Sequence, residues 1–156
     1  MMKRLLRLTI LVLTVAACAR GAGRIQIVWP TPNPAWAEGK PAREILQQAG
    51  SGDPASGGFG GVRSGGRQFH EGLDIKPVGR DRHGEPTDAV FAAMAGVVRH
   101  VSTSPGDSNY GRYIVLEHPD ASPGVYTLYA HLARIAPEVK TGAHVALGQT
   151  LSLIHI

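Results

Sequence analysis

The second half of this chain is patterned with a period of two. Gly96 to Thr103, Tyr113 to His118 and Val125 to Leu132 are short runs rich in β-branched and aromatic residues, which predicts strands. Val90 to Ala93 is a further short run, set off from Gly96 by a tight Ala-Gly connection. Pro119 to Gly124 is a turn-rich loop of six residues, so the two runs around it are expected to pair as a hairpin. Val139 to Leu147 contains a Thr141-Gly142 turn and one more short strand. Within Val125 to Leu132, Tyr126, Leu128, Ala130 and Leu132 share one face, and Val125, Thr127, Tyr129 and His131 share the other. The first set is the more apolar and predicts the core face. His131 then stands on the polar face, where a groove is expected, while Tyr129 reads equally as a groove residue or as part of the sheet.

The first half is punctuated differently. Prolines alternate through Trp29-Pro30-Thr31-Pro32-Asn33-Pro34, which blocks both helix and central strand and predicts an extended tether over Arg20 to Glu38. Pro41 to Ala49 predicts a short helix, with Pro41 in its first turn and Gly50 past its end. Ser51 to Gly66 is rich in Gly and Ser and reads as loop, with the ordered domain expected to begin near Phe59. The expected organisation is a leader at 1–17, a Pro/Gly-rich tether at 18–56, a β domain at 57–150 and a distinct tail at 151–156.

Composition sharpens this picture at the N-terminus. Twenty Gly and eleven Pro in 156 residues favour strands and turns, and the length suits one domain plus a leader. The formal net charge is +4, of which Lys3, Arg4 and Arg7 carry three, leaving +1 on the remainder. That remainder gives no electrostatic case for nucleic acid, and no basic run carries interleaved aromatics. Met1 to Arg7 is a positive n-region and Leu8 to Ala17 an apolar stretch, too short to span a bilayer, so export is expected. The single cysteine, Cys18, cannot form an internal disulfide. Val15-Ala16-Ala17-Cys18 resembles a bacterial lipobox, which implies lipidation of Cys18 and a membrane anchor. The alternative is ordinary cleavage at the small residues Ala17-Cys18-Ala19. Ala19 in place of Asp implies the outer membrane as the destination.

His70 and Asp74 supply an imidazole and a carboxylate, both good zinc ligands, four residues apart. Gly72 between them argues against a helix, and a strand leading into a loop is the expected carrier. Alone, this pair reads more readily as a solvated surface pair than as a metal site.

The wider setting changes that reading. Gly57-Gly58-Phe59-Gly60-Gly61-Val62-Arg63 and Phe69-His70-Glu71-Gly72-Leu73-Asp74-Ile75 resemble the start of a LytM/lysostaphin-type zinc endopeptidase domain. The resemblance runs in order through Pro86 to Val98, Asn109 to His118, Thr127-Leu128-Tyr129-Ala130-His131-Leu132 and Val139-Lys140-Thr141-Gly142, ending at Gly148-Gln149-Thr150. It implies an all-β, antiparallel, sandwich-like domain of the duplicated hybrid motif type, with a groove over the metal. It implies that His70 and Asp74 bind Zn2+ and that His131 is the catalytic histidine, handling the proton of the attacking water. The implied substrate is a peptide bond in peptidoglycan crosslinks. Zinc lowers the pKa of bound water to about 7 and polarises the scissile carbonyl.

The family's later His-x-His, which supplies the third ligand and another catalytic group, is absent up to Ile156. His155 is a poor substitute, because the residues that surround that motif are missing too. Leu151-Ser152-Leu153-Ile154-His155-Ile156 is the in-frame translation of a common transposase adapter, CTG TCT CTT ATA CAC ATC. The domain is therefore expected to be truncated near Thr150, and the chain as written to be inactive and poorly folded. The other reading of the tail is a genuine apolar final strand. Among the remaining histidines, His118 is expected to be structural, His100 half-buried in its strand, and His83 and His144 exposed. Two rival functions differ in class: an inactive LytM-type factor that binds and activates other wall hydrolases, and a plain structural lipoprotein.

Overall fold

The computed structural model describes residues 25–48, 53–63, 68–121 and 124–154. The leader, Cys18 and His155 lie outside the described residues. The chain is all-β with antiparallel sheets. β1 (Val62–Arg63) and β2 (Gln68–Phe69) pair as a small ribbon. β3 (Ala89–Phe91), β7 (Leu132–Ile135) and β9 (Thr150–Ile154) form a three-stranded sheet in the order β3-β9-β7. β4 (Gly96–Ser102), β5 (Tyr113–His118), β6 (Val125–Tyr129) and β8 (His144–Val145) form a four-stranded sheet in the order β6-β5-β4-β8.

The expected hairpin is present, with β5 and β6 paired from Ile114↔Tyr129 to His118↔Val125. One core joins the two larger sheets: Val90, Leu132 and Leu151 from one meet Val98, Ile114, Leu116, Tyr129 and Val145 from the other. β5 alternates strictly, burying Ile114, Leu116 and His118. Residues 151–154, read from the sequence as adapter-encoded, belong to β9, the middle strand of the three-stranded sheet, and Leu151 is fully buried.

The face expected to be the core of β6 is reversed. Tyr126 and Leu128 are 57% and 45% exposed, while Tyr129 is buried. Buried polar atoms explain the reversal. His118 Nε2 lies 2.8 Å from Thr127 Oγ1, which lies 3.1 Å from the Tyr129 hydroxyl, which in turn accepts from Ala93 N at 2.8 Å. Thr127 and Tyr129 turn inward because their hydroxyls find partners there, and a satisfied polar group is not excluded from a core. On the outer face Arg99, Glu117 and Tyr126 form a ladder across three strands. Arg99 beside Glu117 holds that carboxyl below the usual carboxylate range.

His100 also departs from expectation, being exposed instead of half-buried. The β4–β5 register slips between Val98 and His100, so Arg99 and His100 both face solvent. A bulge adds one residue and shifts the alternation beyond it.

Residues 25–38, expected as an extended tether, are laid against the domain. Val28 N donates to Ala93 O at 2.9 Å and Phe91 N to Pro30 O at 2.8 Å, along β3. Trp29 stacks on Trp36 with parallel rings 5.4 Å apart. Buried Asn33 gives its two amide hydrogens to Glu44 O (3.1 Å) and Lys76 O (2.8 Å). The predicted helix shortens to α1 (Ala42–Ile45). Leu46 is already extended, and 45–47 pair with 74–76 through Gln47 N→Asp74 O (2.7 Å) and Lys76 N→Ile45 O (2.9 Å). Pairing of distant backbone outweighs the local helix preference here.

Candidate metal centre and catalytic rim

His70 and Asp74 sit at the end of the β1–β2 ribbon, where a glycine-rich turn approaches them. His70 is fastened on its main chain by His70 N→Gly61 O (2.8 Å) and Gly60 N→His70 O (2.9 Å). Two consecutive glycines then fix the pair. Gly57 O accepts from Asp74 N at 2.8 Å, and Gly58 O lies 2.9 Å from His70 Nδ1. Gly57 must be glycine for a steric reason: a Cβ there would lie 2.2 Å from Gln47 O. Upstream, Asp53 caps the short 3-10 turn Pro54–Gly57 by accepting from Ala55 N at 2.9 Å.

A carbonyl only accepts, so Nδ1 gives its proton to Gly58 O, and Nε2 is the nitrogen that faces Asp74 Oδ1, at 3.2 Å. Two acceptors this close repel unless a cation, proton or metal, lies between them. Two tetrahedral zinc ligands at about 2.0–2.1 Å from the ion are themselves about 3.3 Å apart. The His70–Asp74 pair therefore fits a shared zinc ion, with the second nitrogen held by a backbone carbonyl as metal-bound histidines usually are. Among the described residues, no group of three or more His, Cys, Asp and Glu could hold a metal ion. His155 lies outside them.

His131 is not on a strand. β6 stops at Tyr129, and His131 occupies a turn before β7 with φ of +55°, the one described non-glycine residue with positive φ. That left-handed conformation costs on the order of 1–3 kcal/mol for a residue with a Cβ and recurs at functional sites. The expected polar face is thus replaced by an exposed turn. The turn is held by the segment before β5: His131 N→Tyr110 O at 2.8 Å and Leu132 N→Arg112 O at 3.0 Å. Arg112 adds Nε→Thr103 O (3.0 Å) and Nη1→Ala133 O (3.2 Å).

Tyr110 also reaches the metal-type pair. Its hydroxyl donates to Glu71 Oε2 at 3.0 Å, and Glu71 is the neighbour of His70. The hydrogen bond to Glu71 and the carboxylate's charge raise the Tyr110 pKa above the usual phenol range. The structure thus links the His70–Asp74 segment and the His131 turn to one residue. Phe59 and Phe69, edge to face at 5.5 Å and both exposed, form an apolar lip beside His70.

The other histidines are occupied elsewhere. His118 is 1% exposed and gives Nδ1–H to Ala95 O at 2.8 Å. His83 lies in the exposed loop beside Arg82, and His144 is exposed in β8. Sequence reasoning missed the roles of Gly57, Gly58, Glu71 and Tyr110. The paired glycines were visible, but carbonyl direction leaves no mark on residue identity, and the Tyr110–Glu71 contact spans 39 positions.

Residues 68–155 match Peptidase family M23. The match covers more than half of the chain and contains His70, Asp74 and His131. No curated protein and no solved structure gives a match.

Proposed function

This chain belongs to peptidase family M23, and we propose that it is an exported, lipid-anchored zinc endopeptidase that cleaves peptide bonds in peptidoglycan crosslinks. The observation that carries the reading is His70 Nε2 facing Asp74 Oδ1 at 3.2 Å, with Nδ1 committed to Gly58 O. His70 and Asp74 would hold the zinc. When bound, it would supply a more acidic water and a polarised carbonyl. His131 would take the proton of the attacking water and return it to the leaving amine. Its exposed turn suits a polymeric substrate, which cannot enter a closed cavity. Phe59 and Phe69 line the same open rim and would orient the peptide. Cys18 would carry the anchor, placing the domain in the periplasm at the outer membrane, within reach of the wall.

The test is expression in a diderm host, with its leader, from the gene re-read past Thr150 in an adapter-free library. The protein is expected in the outer-membrane fraction and should release crosslink-cleaved muropeptides from purified sacculi. Cys18→Ser should move it to the soluble fraction. His70→Ala and His131→Ala should each lower turnover by about 10²–10⁴-fold. Binding to sacculi without muropeptide release would point instead to an activator of other hydrolases and refute the enzymatic reading.

A further inference from the structure

We propose that Tyr110 is a positioning residue that ties the His131 turn to the His70–Asp74 segment, resting on the reading of those three residues as the working groups. Its two polar ends face the two halves of the site. The main-chain carbonyl accepts from His131 N at 2.8 Å, and the phenol donates to Glu71 Oε2 at 3.0 Å. Glu71 directly follows His70, so the bond acts one residue away from a metal-type ligand.

The local backbone is shaped for this reach. Gly111 takes φ of +62°, which lets the chain turn sharply after Tyr110. A Cβ at Gly111 would sit 3.9 Å from His131 Nδ1, so the imidazole rests against that turn. The Tyr110 ring is steadied by an edge-to-face contact with Tyr113 at 5.7 Å, and Tyr113 in turn lies 5.1 Å from the His100 ring. Arg112 staples the far side of the same segment to Thr103 O and Ala133 O. The segment is thus fixed on its β4 and β7 sides, and the phenol–carboxylate bond fixes it on the metal side.

A strained turn needs outside restraint to persist. His131 is such a turn, and one of its restraints runs through Tyr110. Loss of the phenol hydroxyl should let the Tyr110–Gly111 segment drift, carrying the carbonyl that holds His131. Small displacements of a catalytic group lower turnover more than they lower binding.

The experiment is amide hydrogen exchange at His131 in the protein from the re-read gene, without metal or substrate. Tyr110→Phe keeps the ring and the main-chain carbonyl and should speed His131 exchange about fivefold, the scale of one net hydrogen bond. Glu71→Ala should do the same. Glu71→Gln retains an acceptor for the phenol and should restore near wild-type exchange. The double variant Tyr110→Phe/Glu71→Ala should match either single one. In the protein from the re-read gene, Tyr110→Phe should lower kcat about fivefold with KM unchanged. Wild-type exchange in Tyr110→Phe, or additive effects in the double variant, would overturn the proposal. Exchange decides it even if the wild-type protein hydrolyses nothing, an outcome that would refute only the proposed function.

Discussion

His118 in the four-stranded sheet and His70 on the rim begin from the same arrangement. Each gives its Nδ1 proton to a backbone carbonyl, Ala95 O at 2.8 Å in one and Gly58 O at 2.9 Å in the other. They differ in what meets Nε2. In the sheet it meets the Thr127 hydroxyl, which can donate, and the series continues to Tyr129 and Ala93 with its members satisfied. On the rim it meets a carboxylate oxygen, which cannot donate when ionised. The first histidine needs nothing more and serves the fold. In the second pair a cation, proton or metal, between Nε2 and Oδ1 relieves the contact, and that marks His70 as a candidate ligand where burial and spacing do not.

The comparison can be broken from either side. The larger effect is expected in the sheet. Thr127→Val keeps shape but removes the hydroxyl between His118 and Tyr129, leaving buried polar atoms unpaired at about 1–3 kcal/mol for each group. Urea unfolding should show a loss of roughly 1–3 kcal/mol, because His118 Nε2 loses its partner while Tyr129 keeps only Ala93 N. An unchanged midpoint would mean that the buried series does not hold the sheets together. The smaller effect is expected on the rim. Asp74→Asn replaces an acceptor with an amide that can donate to His70 Nε2. Without metal its stability should stay within about 1 kcal/mol of the parent, or rise, while zinc affinity falls. A large loss of stability in the metal-free variant would show that Asp74 serves the fold instead of a cation.

The same contrast explains what could be read in advance. The β5–β6 hairpin, the all-β class and the approximate strand positions follow from alternation and turn chemistry, which are local. The inward face of β6 does not, because Thr127 and Tyr129 look like outer-face residues until His118 supplies their partner. His100 was misplaced by a single bulge residue. On the rim, His70 and Asp74 are legible as a pair of donors and His131 through the surrounding motif series. Their supports are not legible. Gly57 and Gly58 act through carbonyls, Gln47 holds Asp74 from a segment expected to be helix, and Tyr110 meets Glu71 only in three dimensions. The stretch from Val28 to Asn33 was equally hidden, since alternating prolines describe its extended backbone but not the β3 strand it lies against.

The central claim is that His70 and Asp74 form a ready-made half of a zinc site. Zinc-edge anomalous diffraction from crystals of the protein made from the re-read gene tests it most directly. The account predicts one strong peak about 2.0–2.2 Å from both His70 Nε2 and Asp74 carboxylate oxygen, with His70 Nδ1 still on Gly58 O. Zinc bound elsewhere, or a His70 ring turned so that Nδ1 faces the ion, would contradict it.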